Sequence, residues 1–218
     1  MVFDLDNTLV ASHIDFKGMR EEVIGCLRAH GVLLTAEQTA WPVGRLADLP
    51  AGMAGVPADL SARLWEVIDA YETEGMIGAA LEPGALEAVG ELHRRGHPLA
   101  VLTNNARTSA MKALTSWDLL PYFTLVLCRG DVAHLKPAPD GLLAVRQALG
   151  QPQRLFMVGD SWLDGAAATA AGAYFIAVGP NFRPRDGIAV RHHIATLHEL
   201  PVLDLVGEGD DPLCPQQT

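Results

Sequence analysis

From residue 80 onward the chain alternates two patterns. Short, mostly apolar runs over 98–103, 123–128, 154–158 and 174–178 read as strands. Between them, 83–95, 108–117, 140–149 and 163–171 read as helices. The helix over 83–95 has Pro83 in its first turn, Leu86, Val89 and Leu92 facing inward, and Gly96 as its stop. A strand without a polar side has no face to give to water. Such strands, separated by helices, belong in a parallel sheet covered on both faces. The expected fold is α/β, a doubly wound parallel sheet. A first strand over 1–5 precedes the alternation. A short helix within 198–206 and a loose, acidic, Pro-containing tail over 207–218 are expected to follow it.

One block breaks the pattern. Met19, Val23, Ile24 and Leu27 fall at helical spacing, and His30-Gly31 ends that helix. A Pro- and Gly-rich connection runs from Pro42 to Pro57. A second helix over 60–73, capped by Asp59 or Ser61, carries Leu64, Val67, Ile68 and Tyr71 on one face. No convincing strand occurs in this block. The expected organisation is a core of residues 1–11 and 80–218, with a small all-helical insert, 12–79, after the first strand.

Composition narrows the functions open to such a fold. The 218 residues are 49% hydrophobic and 19% charged, a core-rich globular balance. No apolar run reaches the roughly 18–20 residues of a membrane span. The first residues lack a basic segment, and Asp4 and Asp6 interrupt the early apolar run, so no signal peptide is expected. Cys26, Cys128 and Cys214 are odd in number and widely spaced, which fits reduced thiols in a cytoplasmic protein. A net charge of −10 argues against nucleic acid as the main partner.

The carboxyl ends of parallel strands are where such sheets bind ligands. Asp4, Asp6, Thr103, Asn104 and Asp160 each fall at or just after such an end. Asp4 and Asp6, two residues apart after an apolar run, need a metal or a cationic partner if buried. Adding Thr8, Lys136 and Asp164 gives a pocket with several carboxylates, no His or Cys cluster and one lysine. Oxygen-only ligation points to Mg²⁺. Lys136 stands among Leu135, Pro137, Ala138 and Pro139, where the prolines are expected to hold the loop stiffly extended. An ammonium fixed beside carboxylates and a metal suits a phosphoryl group, and Thr103 and Asn104 can donate hydrogen bonds to the same oxygens. In this reading Asp4 is the nucleophile and Asp6 the proton shuttle.

These residues carry a resemblance to the haloacid dehalogenase-like superfamily, whose four motifs appear in order. Asp4-Leu5-Asp6-Asn7-Thr8 matches the Asp-x-Asp-x-Thr loop. Thr103 ends an apolar strand, Lys136 precedes Pro137-Ala138-Pro139, and Gly159-Asp160-Ser161-Trp162-Leu163-Asp164 matches Gly-Asp-Ser-x-x-Asp. The resemblance covers 1–11 and about 80–205, and the insert sits where the family carries a helical cap. It implies a Mg²⁺-dependent phosphatase that is phosphorylated on Asp4. Asp4 would also bind the metal. Asp6 would be the acid/base and bind the metal through its backbone carbonyl. Asp160 would be a direct ligand, and Asp164 a ligand through water or a group one step removed. Asn7 stands where the family most often has Gly, and Asn tolerates the same backbone angles nearly as well.

By resemblance the default substrates are small phosphate esters, phosphoglycolate-like or sugar phosphates. Asp6 disfavours a dehalogenase and a phosphonate-cleaving enzyme. A phosphosugar mutase shares every core motif and stays open. From other classes, a phospho-receiver module should carry its Asp after a middle strand rather than the first. An inactive scaffold is disfavoured by the intact Asp4, Asp6, Lys136 and Asp160. Substrate choice would lie in the cap, with His13, Lys17, Arg20 and Arg45 as candidates that read equally well as solvated charges. Asp164 could also serve simply as a helix cap. His192-His193 and His198 lack metal-site spacing and read as surface or packing residues. Monomer and homodimer are both open.

Overall fold

A computed structural model of the protein describes residues 1–180, 182–203 and 205. In chain order the elements are β1 (Val2–Phe3), β2 (Val10–Ala11), α1 (Phe16–Ala29), α2 (Val43–Asp48), α3 (Leu60–Gly75), β3 (Ala80–Leu81), α4 (Ala85–Arg94) and β4 (Ala100–Ala106). There follow α5 (Arg107–Ser116), β5 (Leu125–Arg129), α6 (Asp140–Ala148), β6 (Phe156–Gly159), α7 (Trp162–Ala170), β7 (Tyr174–Val178) and β8 (Val190–Ile194). Short 3₁₀ turns lie at Gln38–Ala40, Leu120–Tyr122 and Leu197–Val202.

The six long-range strands form one sheet in the order β5-β4-β1-β6-β7-β8, and every neighbouring pair is parallel. The registers show why the strands lack a polar side. Val2 lies beside Ala100 and Met157, and Met157 beside Phe175. These side chains pack with Leu142 and Val145 of α6 and with Ala167 and Ala168 of α7. The alternate residues Phe3, Val101, Val158 and Ile176 share the next register and are also fully buried. Both faces are therefore covered, as a doubly wound sheet requires. After β5 the chain returns to the far side of β1, so the strand order reverses beside the first strand. That reversal opens the crevice where open α/β sheets bind ligands.

The edge strand β8 has no counterpart in the expected elements. Val190-Arg191-His192-His193-Ile194 carries three polar residues in a row, which hides the pattern of a buried strand. An edge position tolerates them because only one flank pairs. His192 and His193 are thus strand residues, and a His193 ring nitrogen lies 2.8 Å from the Gly179 carbonyl. In α4 the inward face is Ala85, Ala88, Val89 and Leu92, while Leu86 is exposed. Leu86 falls off the 3.6-residue stripe that Val89 and Leu92 define. The final helical segment is the 3₁₀ turn over Leu197–Val202; positions 204 and 206–218, including Cys214, lie outside the described residues. Cys26 and Cys128 are free thiols.

The chain divides into two compact units, Met1–Ala11 with Ala80–Thr218, and Ser12–Ala79. The second unit contains α1, α2, α3 and one 3₁₀ turn. Met19, Val23 and Leu27 of α1 share a core with Leu46 of α2 and with Leu60, Leu64 and Ile68 of α3. Asp15 caps α1 by accepting from the Gly18 N–H at 2.8 Å. The insert does not leave straight from β1. Val10 and Ala11 first pair antiparallel with Leu81 and Ala80, forming a two-stranded ribbon. No helix among the described residues is long and apolar enough to cross a membrane.

Candidate active site

Asp4 follows β1 directly, and its backbone N–H donates to the Val158 carbonyl at 2.9 Å, which ties it to the end of β6. The chain then turns sharply. Leu9 and Val10 both donate to the Leu5 carbonyl, at 2.9 and 3.0 Å, and Asn7 sits at φ 54°. This left-handed conformation is open to Gly and, among other residues, most readily to Asn and Asp. Asn7 therefore meets a backbone demand that would otherwise call for glycine. The turn holds Asp4, Asp6 and Thr8 together, all buried.

Lys136 is the electrostatic centre. Its side chain is 3% exposed, and Nζ donates to Asp4 Oδ1 and Asp164 Oδ1, each at 2.6 Å. Burial alone would push this ammonium down, but the charges of Asp164 and Asp4 and their hydrogen bonds hold it above the usual lysine range. The loop carrying it is a tight turn rather than an extended segment. Ala138 N–H closes on the Leu135 carbonyl at 2.9 Å around a cis Lys136–Pro137 peptide.

Asp164 lies in the first turn of α7 and does two things at once. Its Oδ2 accepts from the Ser161 N–H at 3.1 Å and the Ser161 hydroxyl at 2.6 Å, capping the helix, while Oδ1 faces Lys136. Gly159 makes this approach feasible, since a Cβ there would lie 2.5 Å from the Asp164 carboxyl carbon. Asp160 follows β6, and Thr8 Oγ1 stands 3.5 Å from its Oδ1.

Carboxylate oxygens of Asp4, Asp160 and Asp164 come within 4.8 Å of one another. One ammonium cannot neutralise three carboxylates. Burial and the Asp164 charge push the Asp160 carboxyl up to about 7. Burial, Asp164 and Asp160 likewise raise Asp4, against the pull of Lys136. Hard oxygen donors with uncompensated negative charge suit a small divalent cation. Asp6 is not one of these three; its Oδ2 accepts from Asn105 Nδ2.

The strand period sorts the residues of β4. Thr103 and Asn105 are joined by the Asn105 N–H, which donates to Thr103 Oγ1 at 3.2 Å. Asn104 engages a different partner: its Nδ2 donates to the Lys136 carbonyl at 2.9 Å and its Oδ1 accepts from the Lys136 N–H at 3.0 Å. Asn104 thus clamps the lysine's backbone, while the Arg129 guanidinium donates to the Asn104 carbonyl at 3.2 Å. Asn105 is the site residue that sequence reasoning missed. The apolar run ends at Thr103, but β4 itself continues to Ala106 and so carries Asn105 along the same strand.

The cap candidates all have partners within their own unit. His13 meets the Gly78 carbonyl, Lys17 pairs weakly with Glu21, Arg20 donates to the Thr39 and Trp41 carbonyls, and Arg45 stacks over the Trp41 ring.

With this arrangement in view, comparison with known proteins is informative. Residues 1–172 match the haloacid dehalogenase-like hydrolase family. A phosphoglycolate phosphatase of Rhodobacter capsulatus is 30% identical over 219 residues, covering 96% of each chain. Another, from Shigella boydii serotype 4, is 32% identical over 195 residues, covering 79% of this chain and 77% of its own. In fold, a haloacid dehalogenase-like hydrolase of Bacteroides fragilis superposes with a TM-score of 0.68 at 22% identity, over 91% of this chain and 97% of its own. The doubly wound sheet, the order of the four motifs and the near full-length relatedness lead to one conclusion: this chain is an enzyme of the haloacid dehalogenase-like hydrolase family.

Proposed function

We propose that the protein is a divalent-cation-dependent phosphatase that hydrolyses a small phosphate monoester through an aspartyl phosphate on Asp4. The observation that carries this reading is the buried Lys136 ammonium bridging Asp4 and Asp164 beside a three-carboxylate cluster. A lone carboxylate repels a phosphate dianion. Lys136 and a cation offset that repulsion and hold both reactants in one place. Asp4, Asp160 and Asp164 would hold the cation, for which Mg²⁺ fits the oxygen donor set, and Asp6 would add its backbone carbonyl. When bound, the cation neutralises charge on the transferring phosphoryl oxygens.

Asp4 attacks phosphorus as the ester oxygen departs. Asp6 gives that oxygen a proton, then takes one from the water that hydrolyses the aspartyl phosphate. Thr103 Oγ1 already accepts from Asn105, so its own O–H is left to donate to a phosphoryl oxygen. Asn104 acts by fixing Lys136 through the paired backbone hydrogen bonds. Phosphoglycolate is the first substrate to test, because the curated relatives carry that activity in their names.

The test is phosphate release from a panel of small esters, including phosphoglycolate and sugar phosphates, with Mg²⁺ and with a chelator. Asp4→Asn is expected to lose phosphatase activity altogether. Full activity in that variant refutes the mechanism. Isomerisation of a sugar phosphate without phosphate release would replace the phosphatase with a mutase.

A further inference from the structure

Asn105 is buried on the same strand as Thr103, and its side-chain amide donates to the Asp6 carboxylate. The contact spans 99 residues of sequence and links the first motif loop to β4. We propose that Asn105 is the positioning residue for Asp6, fixing which of its two carboxyl oxygens delivers the proton to the leaving group. The inference rests on the phosphatase reading above and assigns a role to a residue outside the four motifs.

The chemistry of the amide makes the assignment specific. An amide NH₂ donates and cannot accept, and the carbonyl oxygen of a carboxyl group accepts better than its hydroxyl oxygen, so the oxygen it faces is held as the accepting one. When Asp6 carries its proton, that proton is therefore on Oδ1, because Oδ2 already receives Asn105. A carboxyl group without this partner can rotate and present either oxygen. In the step itself the Oδ1–H bond breaks as the phosphorus–oxygen bond of the ester breaks. The proton goes to the departing oxygen, and Asp6 is left as a carboxylate that Nδ2 continues to bind. Asn105 also spends its backbone N–H on Thr103 Oγ1 at 3.2 Å. One residue thereby orients the proton donor and the hydroxyl donor, through two groups that do not ionise. Asn104 cannot substitute, since its amide is engaged with the backbone of Lys136.

The test uses leaving groups that differ in their need for a proton. A 4-nitrophenolate leaves readily without one, whereas an alkoxide does not. kcat/KM covers the steps up to leaving-group departure and is measured with Mg²⁺ on 4-nitrophenyl phosphate and on the best alkyl ester of the panel. Two variants are compared with wild type: Asn105→Ala, and Asn105→Leu, which fills the space without a donor. General acid–base help contributes roughly 10²–10⁴-fold, and disorienting the acid forfeits part of it. The expected result is a loss of about 10-fold or more on the alkyl ester and less than about threefold on the aryl ester. Any unfolded fraction lowers both rates equally and cancels in their ratio. Equal losses on the two esters, or no loss on the alkyl ester, overturn the proposal. A wild type inert on every ester overturns the phosphatase reading and this inference together.

Discussion

Replacing Asp160 by Asn should stabilise the metal-free protein, and increasingly so as the pH rises. Folding raises the Asp160 carboxyl from 3.8 to about 7, through burial first and the neighbouring Asp164 charge second. A carboxyl raised in this way favours the folded state below its unfolded value and loses that advantage as pH climbs through the folded one. The accumulated cost is about 1.7 kcal/mol at pH 5 and about 4 kcal/mol at pH 8.5, at 1.36 kcal/mol per pH unit. Asn keeps the shape and carries no charge. At roughly 2–4 °C per kcal/mol for a chain of this size, Asp160→Asn should raise the chelator-treated Tm by about 8–16 °C at pH 8.5, and by less than half of that at pH 5. The assay is thermal unfolding followed by circular dichroism in EDTA across that range. Repeating it with Mg²⁺ should raise the wild-type Tm more than the variant's, because binding to the folded state adds stability. A variant Tm equal to or below wild type at pH 8.5 in EDTA would refute the assignment of Asp160 as an uncompensated charge.

Two more outcomes follow from the same geometry. Lys136→Met leaves Asp4 and Asp164 buried together without their ammonium and should destabilise the fold by about 3–5 kcal/mol in urea titrations at neutral pH; a loss under about 1 kcal/mol would sink the claim that Lys136 holds the cluster. Gly159→Ala drives a methyl to 2.5 Å from the Asp164 carboxyl carbon, which Lys136 and Ser161 hold in place. It should cost about 1–3 kcal/mol and, by displacing the site, up to about 100-fold in kcat/KM; wild-type kinetics would show that Asp164 is free to move.

Much of the fold was legible because buried parallel strands advertise themselves. The runs ending at Thr103, Cys128 and Val178 are mostly apolar because both sheet faces are covered. The same logic explains what stayed hidden. β8, an edge strand that tolerates polar side chains, carries Arg191, His192 and His193, which mask it. The two-residue strands β2 and β3 are too short to show any period. At the site, the motifs placed Asp4, Lys136, Asp160 and Asp164 near one another, because each follows a strand end or its loop. Periodicity could not say that Asn104 would turn to the Lys136 backbone and Asn105 to Asp6. That division depends on β4 continuing to Ala106, where its register against β5 shifts between Leu102 and Ala106. Nor could the turn at Lys136 be read from two prolines, whose restricted φ suits turns and extended segments alike.

The ribbon formed by β2 and β3 has a consequence for how the chain can fold and diversify. Antiparallel neighbours lie about 5 Å apart, so the segment 12–79 departs and returns at nearly one point. A flexible loop adds about 0.6 kcal/mol of closure entropy for each doubling of its length. A segment with its own hydrophobic core and pinned ends is spared most of that penalty, because its interior is not a flexible loop once folded. To the sheet, the whole excursion is then equivalent to a hairpin turn. β1 can find β4 almost as easily as if Ala11 and Ala80 were joined by a few residues. Segments of very different length and sequence can be exchanged at this junction while the strand pairing beneath it stays the same.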